Sequence, residues 1–381
     1  MTMSSTRRLE RLLDRYRNGD IDRRRFLGLA AAAAAAAGIS TQWTARALAA
    51  VTEVRFDGWG GVVQEALHKN AFEPYSQKTG LKVVEGTFGD EIEVLTKVKA
   101  SNPGDYQVIH SSGVDWYKRY LDLGFTSELD ESKIPNLKLV MTALVDPFRK
   151  LTPKALSAAP YDYGTTGIAY NTKYVSKEDA VGLGVNLLLK ADLKGKIGAV
   201  NEMQTRVWYG ALQTGQNPND IKDMDAIWAK ARESRDLVKK YWESGAELMD
   251  LLSKEEIVVT EAWSGRIAKL QQDGFPIGYF DPPGGLAWME DMLVLKGSPM
   301  AECEELLNFM LEPSVAIAVA EGQNYPPSLD PTKVQLSDKV KNLPAFDPTG
   351  TLKNLTFADP AYWAPKYDDW EKQWDRIAKG A

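Results

Sequence analysis

The chain has 381 residues, 44 % of them hydrophobic, and its 46 Lys and Arg against 52 Asp and Glu give a formal charge of −6. That balance speaks against a nucleic-acid or anionic-lipid partner, because counterion release needs clustered cations. A single cysteine, Cys303, rules out an internal disulfide, and two histidines, His68 and His110, in no ligand spacing, rule out the common zinc and Cys–His designs.

The first 49 residues read unlike the rest. A polar, Arg-rich stretch, Ser4–Asp22, leads into Arg23-Arg24-Arg25-Phe26-Leu27-Gly28, an alanine run from Ala30 to Ala37, and a break at Gly38. Small residues follow in Ala45-Arg46-Ala47-Leu48-Ala49-Ala50. That order is what a secretory signal needs, and cleavage is expected after Ala49. Adjacent arginines before Phe-Leu, with a core greasy only by alanine, resemble a twin-arginine signal, so the twin-arginine translocase is the expected export partner. The alternative is an amphipathic helix that stays attached. The apolar run Phe26–Ile39 is below the roughly 18–20 residues that span a bilayer. Nine Arg against Glu10, Asp14, Asp20 and Asp22 leave with this segment, so a body starting at Ala50 carries −11. No cysteine stands at the boundary to take a lipid, and the mature protein is expected free in the periplasm, as a monomer.

In the body, Val54–Phe56 predicts a strand, followed by a helix through Val63, Leu67, Ala71 and Tyr75. Leu81–Val84 predicts the next strand, Glu91–Ala100 a helix burying Ile92, Leu95 and Val98, and Gln107–Ile109 a third strand. Strands alternating with such helices indicate a mostly parallel α/β sheet, whose ligands sit beyond the carboxyl ends of the strands. That points at Asp57–Gly61 and at His110-Ser111-Ser112-Gly113. Asp225–Trp242 predicts one long helix stacking Ile227, Ala231, Val238 and Tyr241. Pro160–Gly164 and Asp281–Gly285 predict crossings between two domains, because Pro and Gly punctuate regular structure. Leu293–Leu295 predicts a further strand, with helices at 302–311 and 314–321. Cys303, Leu306, Leu307 and Met310 share one helix face, so the cysteine is expected as buried apolar packing. Trp363, Tyr367, Trp370, Trp374 and Ile377 form one stripe on a docked C-terminal helix entered at Pro365.

No catalytic constellation assembles: there is no G-x-S-x-G elbow or Walker loop, and Gly58–Gly61 is not a dinucleotide fingerprint. No cofactor, metal or catalytic residue is therefore expected, and the enzyme alternative (an exported lyase or hydrolase on a small polar solute) rests on no marked carboxylate dyad. What stands out is aromatic residues at loops with acids nearby: Trp59, Tyr161 and Tyr163, Trp263, Trp288 with Glu290, and Tyr325. Aromatic faces attract cations by about 0.5–2 kcal/mol each, while micromolar binding requires about −8 kcal/mol. A carboxylate such as Glu290 pairing with an ammonium would supply the stronger bond.

Phe56-Asp57-Gly58-Trp59, Thr79–Val83, Tyr161–Asn171, Ala262–Gly265, Trp288-Met289-Glu290, Leu307–Pro313 and Tyr325-Pro326 together resemble the periplasmic solute-binding proteins of ABC importers, of the spermidine/putrescine-binding type. The resemblance implies a type II periplasmic-binding-protein fold, two α/β lobes with a ligand cleft between them. It implies lobe 1 from 50–162 and 282–381, lobe 2 from 163–281, and a membrane permease as partner. It places Trp59, Trp263 and Trp288 as aromatic walls, Glu290 where an aspartate grips an amine, Ser111 as a hydroxyl donor, Tyr163 at the crossing and Tyr325 as a cap. Arg206 stands where an acid is expected and Gly113 where a tyrosine is. An arginine there would pair with a carboxylate, suggesting an ω-amino acid or other zwitterion beside the polyamine reading, unless Arg206 pairs with Glu202 at i, i+4. A ferric site on Tyr161 and Tyr163 is the remaining alternative.

Overall fold

A computed structural model describes residues 53–380, together with two isolated earlier positions, Arg15 and Leu29; the expected signal segment lies outside the described residues. Ten strands form one mixed sheet in the order β2-β1-β3-β9-β4-β7-β5-β6, with β10 on β9 and β8 on β4. They are β1 (Glu53–Gly58), β2 (Lys82–Thr87), β3 (Val108–Ser111), β4 (Ala158–Asn171), β5 (Ile197–Val200), β6 (Val238–Trp242), β7 (Val259–Trp263), β8 (Ile277–Phe280), β9 (Leu286–Val294) and β10 (Thr356–Phe357).

The sheet is parallel towards both ends, where β1 pairs with β2 and β3 and β5 with β6 and β7. It is antiparallel in the middle, where β9 meets β3 and β4, and β4 meets β7 and β8. The expected mostly parallel sheet is corrected there: β4 and β9 are long strands, and β4 is buried along all 14 residues. Its first part lies against β9 and its later part, from Thr166 to Asn171, also against β7 and β8. The predicted crossing Pro160–Gly164 is thus strand, with a register shift between Pro160 and Asp162 that bends it. Trp288 to Asp291 also lie inside a strand instead of following a loop.

The first helix shows why spacing matters. Val63, Leu67, Ala71 and Tyr75 are all buried, as expected, yet successive steps of four drift around a helix of 3.6 residues per turn. The π-helical turn His68–Phe72, between helices Gly61–Leu67 and Glu73–Thr79, absorbs that drift. Helix Glu91–Ala100 sits where predicted but rotated: Val94, Leu95 and Val98 are buried, and Ile92 is 42 % exposed. The cause is Glu91, whose carboxylate is drawn inward by the Ser112 N–H.

The single helix expected over Asp225–Trp242 is two elements. Helix Met224–Arg235 stops at Asp236-Leu237, and Val238–Trp242 becomes β6 beside β5. Trp242 decides this, being fully buried with its Nε1–H donated to Thr260 Oγ1 at 2.9 Å. Helices Met300–Met310 and Pro313–Gln323 match expectation, and Cys303, Leu306, Leu307 and Met310 are all fully buried. At the C-terminus the stripe is real but split by Pro365 into helices Pro360–Trp363 and Tyr367–Ala378. Trp363 stacks on Trp208, Tyr367 meets Trp116, and Trp374 meets Tyr241. The stripe therefore fastens helix Gly113–Asp122 to helix Met203–Gln213 and β6, elements from opposite ends of the sheet.

Candidate functional site

Three adjacent strands, β3, β9 and β4, carry the most concentrated buried chemistry. Antiparallel register puts Ser111 opposite Asp291 and Asp162 opposite Glu290. Alternation along β9 sends Trp288, Glu290 and Met292 one way and Met289 and Asp291 the other. His110, Asp162 and Glu290 converge on the first side. His110 Nε2 lies 2.9 Å from Glu290 Oε2 and 3.9 Å from Asp162 Oδ2, and the Gln323 amide donates to Asp162 Oδ2 at 2.5 Å. His110 is enclosed by Phe56 and Tyr161, with ring centroids at 6.0 and 5.7 Å.

The aromatic walls are assembled around this group by glycines. A Cβ on Gly164 would lie 2.5 Å from the Trp288 ring, and one on Gly265 would lie 2.5 Å from Tyr325. Those bare positions let Trp288 and Tyr325 meet edge to face at 4.9 Å, with Arg266 5.6 Å over Tyr325. Trp263 pairs with Thr166 two residues along β4 from Gly164 and packs on Trp242. Trp59 follows β1, whose Gly58 backs onto His110, and packs on Phe88. Gly164→Ala is expected to push Trp288 off its seat and weaken binding of a cationic solute by about 0.5–2 kcal/mol, read by titration calorimetry.

The second side of β9 holds Ser111, Asp291, Glu91 and Asp115. The Ser111 hydroxyl is buried near Glu91 there, and the Gln204 amide reaches Asp115 Oδ2 at 3.4 Å. Ser111 is thus next to His110 in sequence but on the opposite face of the sheet. Two other residues named for the site have partners within the protein. Tyr163 is core, its hydroxyl accepting the buried Asp347 N–H at 3.2 Å. Arg206 pairs with neither a free anion site nor Glu202; it forms an ion pair with the fully buried Glu261 of β7. Glu202 takes the Thr205 hydroxyl instead. Tyr161 and Tyr163 are not joined into a ferric pair, since one hydroxyl serves Asp347 and the other ring packs on His110.

Burial dominates the electrostatics. It pushes the Glu290 carboxyl up to about 8, against the opposing pull of an Asp162 hydrogen bond and the Arg266 charge. It raises Asp162 well above the carboxylate range, helped by the Glu290 charge and opposed by His110 and Gln323. His110 is lowered by its burial, with Asp162 pulling the other way. On the far face, burial lifts Glu91 to about 8 and Asp115 to about 6. A carboxyl with a raised folded pKa contributes stability that is fully present below its unfolded pKa and is lost as pH rises through the folded value. The ligand-free protein is therefore expected to melt higher at pH 5.5 than at pH 8.5, with the loss spread from the ordinary carboxylate range up to about pH 8. A flat or rising melting temperature over that window would contradict these shifts.

Sequence reasoning flagged the strand end at His110 and the segment at Asp162, but it did not single out either side chain. Their signal was position: His110 is the last residue but one of the third strand, and Asp162 faces Glu290 across two strands. Glu261, two residues before Trp263, and Arg266, three after it, went unmarked. Chemically, the first face offers an aromatic pair over a carboxylate, an arrangement suited to an ammonium group. His110, Asp162 and Glu290 also place one ligand atom each within 4.8 Å of one another, close enough to be weighed as a metal set.

The model of the family described as bacterial extracellular solute-binding protein matches residues 70–348. The spermidine/putrescine-binding periplasmic protein of Escherichia coli (strain K12) is 26 % identical over 288 residues, covering 74 % of this chain and 80 % of its own. The gamma-aminobutyric acid-binding protein of Pseudomonas aeruginosa is 23 % identical over 339 residues, covering 84 % and 89 %. Among solved structures, a periplasmic binding protein of Agrobacterium tumefaciens R10 in complex with agropinic acid superposes with a TM-score of 0.71 at 20 % identity, over 86 % of this chain and 99 % of that one. The fold is that of the type II periplasmic binding proteins. With 279 consecutive residues, most of the described body, spanned by the family model, the chain belongs to the bacterial extracellular solute-binding proteins.

Proposed function

We propose that the protein captures a small amine-bearing solute, a polyamine or an ω-amino acid, in the periplasm and delivers it to the permease of an ABC importer. The observation that carries this reading is Glu290, a buried carboxylate two residues from Trp288 on one strand, with Tyr325 packed on that indole. A desolvated carboxylate beside an aromatic face binds an ammonium by charge-assisted hydrogen bonding and by cation–π attraction together. The relatives point the same way, one bearing spermidine/putrescine and another gamma-aminobutyric acid in its name. Nothing in this mechanism makes or breaks a bond.

Residues 50–162 and 282–381 form one lobe in this reading, and 163–281 the other. β4 and the segment Asp281–Gly285 join them, and solute shifts an open–closed equilibrium whose closed form docks on the permease. The pairing of Arg206 with Glu261 lowers the value of Arg206 as a carboxylate clamp, so the two solute classes stand level. The first 49 residues serve as a twin-arginine signal cleaved after Ala49, and the released protein acts as a monomer. N-terminal sequencing of the periplasmic form should begin at Ala50.

A thermal-shift panel of putrescine, spermidine, 4-aminobutyrate and the common amino acids tests the solute class. At least one of the amines is expected to raise the melting temperature by several degrees, since a ligand at 100-fold its Kd adds about 2.7 kcal/mol. No shift with any amine, and a shift with an uncharged or anionic solute, would overturn the proposal.

A further inference from the structure

The binding reading uses Glu290 alone, yet Glu290 is not alone. Asp162 faces it across β4 and β9, and His110 Nε2 touches it at 2.9 Å. All three side chains are nearly inaccessible, and Gln323, from helix Pro313–Gln323, fixes Asp162 from behind.

Two buried carboxyls in contact do not both ionise without a proton or cation between them. A proton on Asp162 with neutral His110, or a proton on His110 with both acids ionised, gives the same count. Once Glu290 is ionised, as an ammonium requires, the triad holds one exchangeable proton and one net negative charge either way. The surrounding charges do not change that count. Arg266, on helix Ser264–Gln272, is the cation that bears on Glu290, while Glu91, Asp115 and Asp291 face the other side of β9. Tyr161 and Tyr325, the remaining titratable neighbours, are held neutral by burial.

Resting on the amine-capture reading, we infer that His110 and Asp162 determine specificity at this end of the site, sharing one proton with Glu290 so that the triad accepts a single ammonium group. A bound ammonium favours loss of the shared proton, so capture is coupled to proton release. A divalent metal is the competing occupant. It is opposed by the Arg266 charge and by the Gln323 amide already seated on Asp162 Oδ2, the oxygen it would need.

The chain has only two histidines, so the test is spectroscopic. In full-length mature protein carrying His68→Asn, the one remaining imidazole signal belongs to His110. In ligand-free protein, Asp162→Asn is expected to move the titration of that signal by about one pH unit or more. Putrescine or 4-aminobutyrate, whichever binds, is expected to shift the same signal. Calorimetry in buffers of differing ionisation heat should show proton release on binding at pH 8 that Asp162→Asn reduces. An imidazole titration unchanged by Asp162→Asn overturns the inference, whether or not any amine binds. If Zn²⁺ at micromolar concentration binds and displaces the amine, the triad is a metal site and the inference also fails. Absence of any amine binding, with His110 and Asp162 still coupled, counts instead against the amine-capture reading.

Discussion

Glu290→Gln is expected to weaken binding of an amine solute by about 2–5 kcal/mol, one and a half to three and a half decades in Kd, while leaving the fold intact. The variant keeps the shape of the side chain and its hydrogen-bonding capacity towards His110, and removes the charge. In water such a loss would be small, because an exposed ion pair is worth little. Here the carboxylate is 8 % exposed, beneath Trp288 and Tyr325, and an ammonium drawn into that place gives up its water for it. Stability should not fall with affinity. A carboxyl pushed up to about 8 costs the folded protein free energy when ionised, so the amide is expected to flatten the decline of stability as pH rises towards 8. Calorimetric titration alongside urea unfolding separates the two effects. Equal affinity in wild type and variant would remove Glu290 from the site.

Arg206→Met is the second large effect, and it falls on stability. Arg206 and Glu261 are 6 % and 0 % exposed and lie on different elements, helix Met203–Gln213 and β7. Removing the guanidinium strands a carboxylate in the core, a change expected to cost about 3–5 kcal/mol. Arg206→Met with Glu261→Gln should recover much of that, because no uncompensated charge remains. Urea unfolding midpoints, compared at constant m, give both numbers. If Arg206→Met costs under about 1 kcal/mol and instead abolishes binding of 4-aminobutyrate, the arginine is a solute clamp and the pairing with Glu261 yields to it.

How far the sequence could be read depended on whether a signal was local. Helical burial was legible because spacing alone encodes it: Cys303 to Met310 and Trp363 to Ile377 lie inward as their periods dictate. The end of helix Met224–Arg235 was not, because Val238 and Tyr241 fit a helical stripe as well as they fit β6. Pairing with β5, some 40 residues earlier, is what made the difference. Trp288, Glu290 and Tyr325 were found as a family pattern, and the structure brings them together. Asp162 and His110 escaped because their meaning lies in register. They are 52 residues apart in sequence and meet only because β9 lies between β3 and β4. Arg206 was read correctly as an unusual cation and given the wrong partner, since Glu261 is distant in sequence and Glu202 is one helical turn away.

The most direct test is a crystal structure of the mature protein with whichever amine raises its melting temperature most. The amine nitrogen should lie within about 3 Å of a Glu290 carboxylate oxygen and against the Trp288 ring. A solute seated with its nitrogen away from Glu290, or bound anywhere other than this aromatic-walled face of β9, would contradict the account.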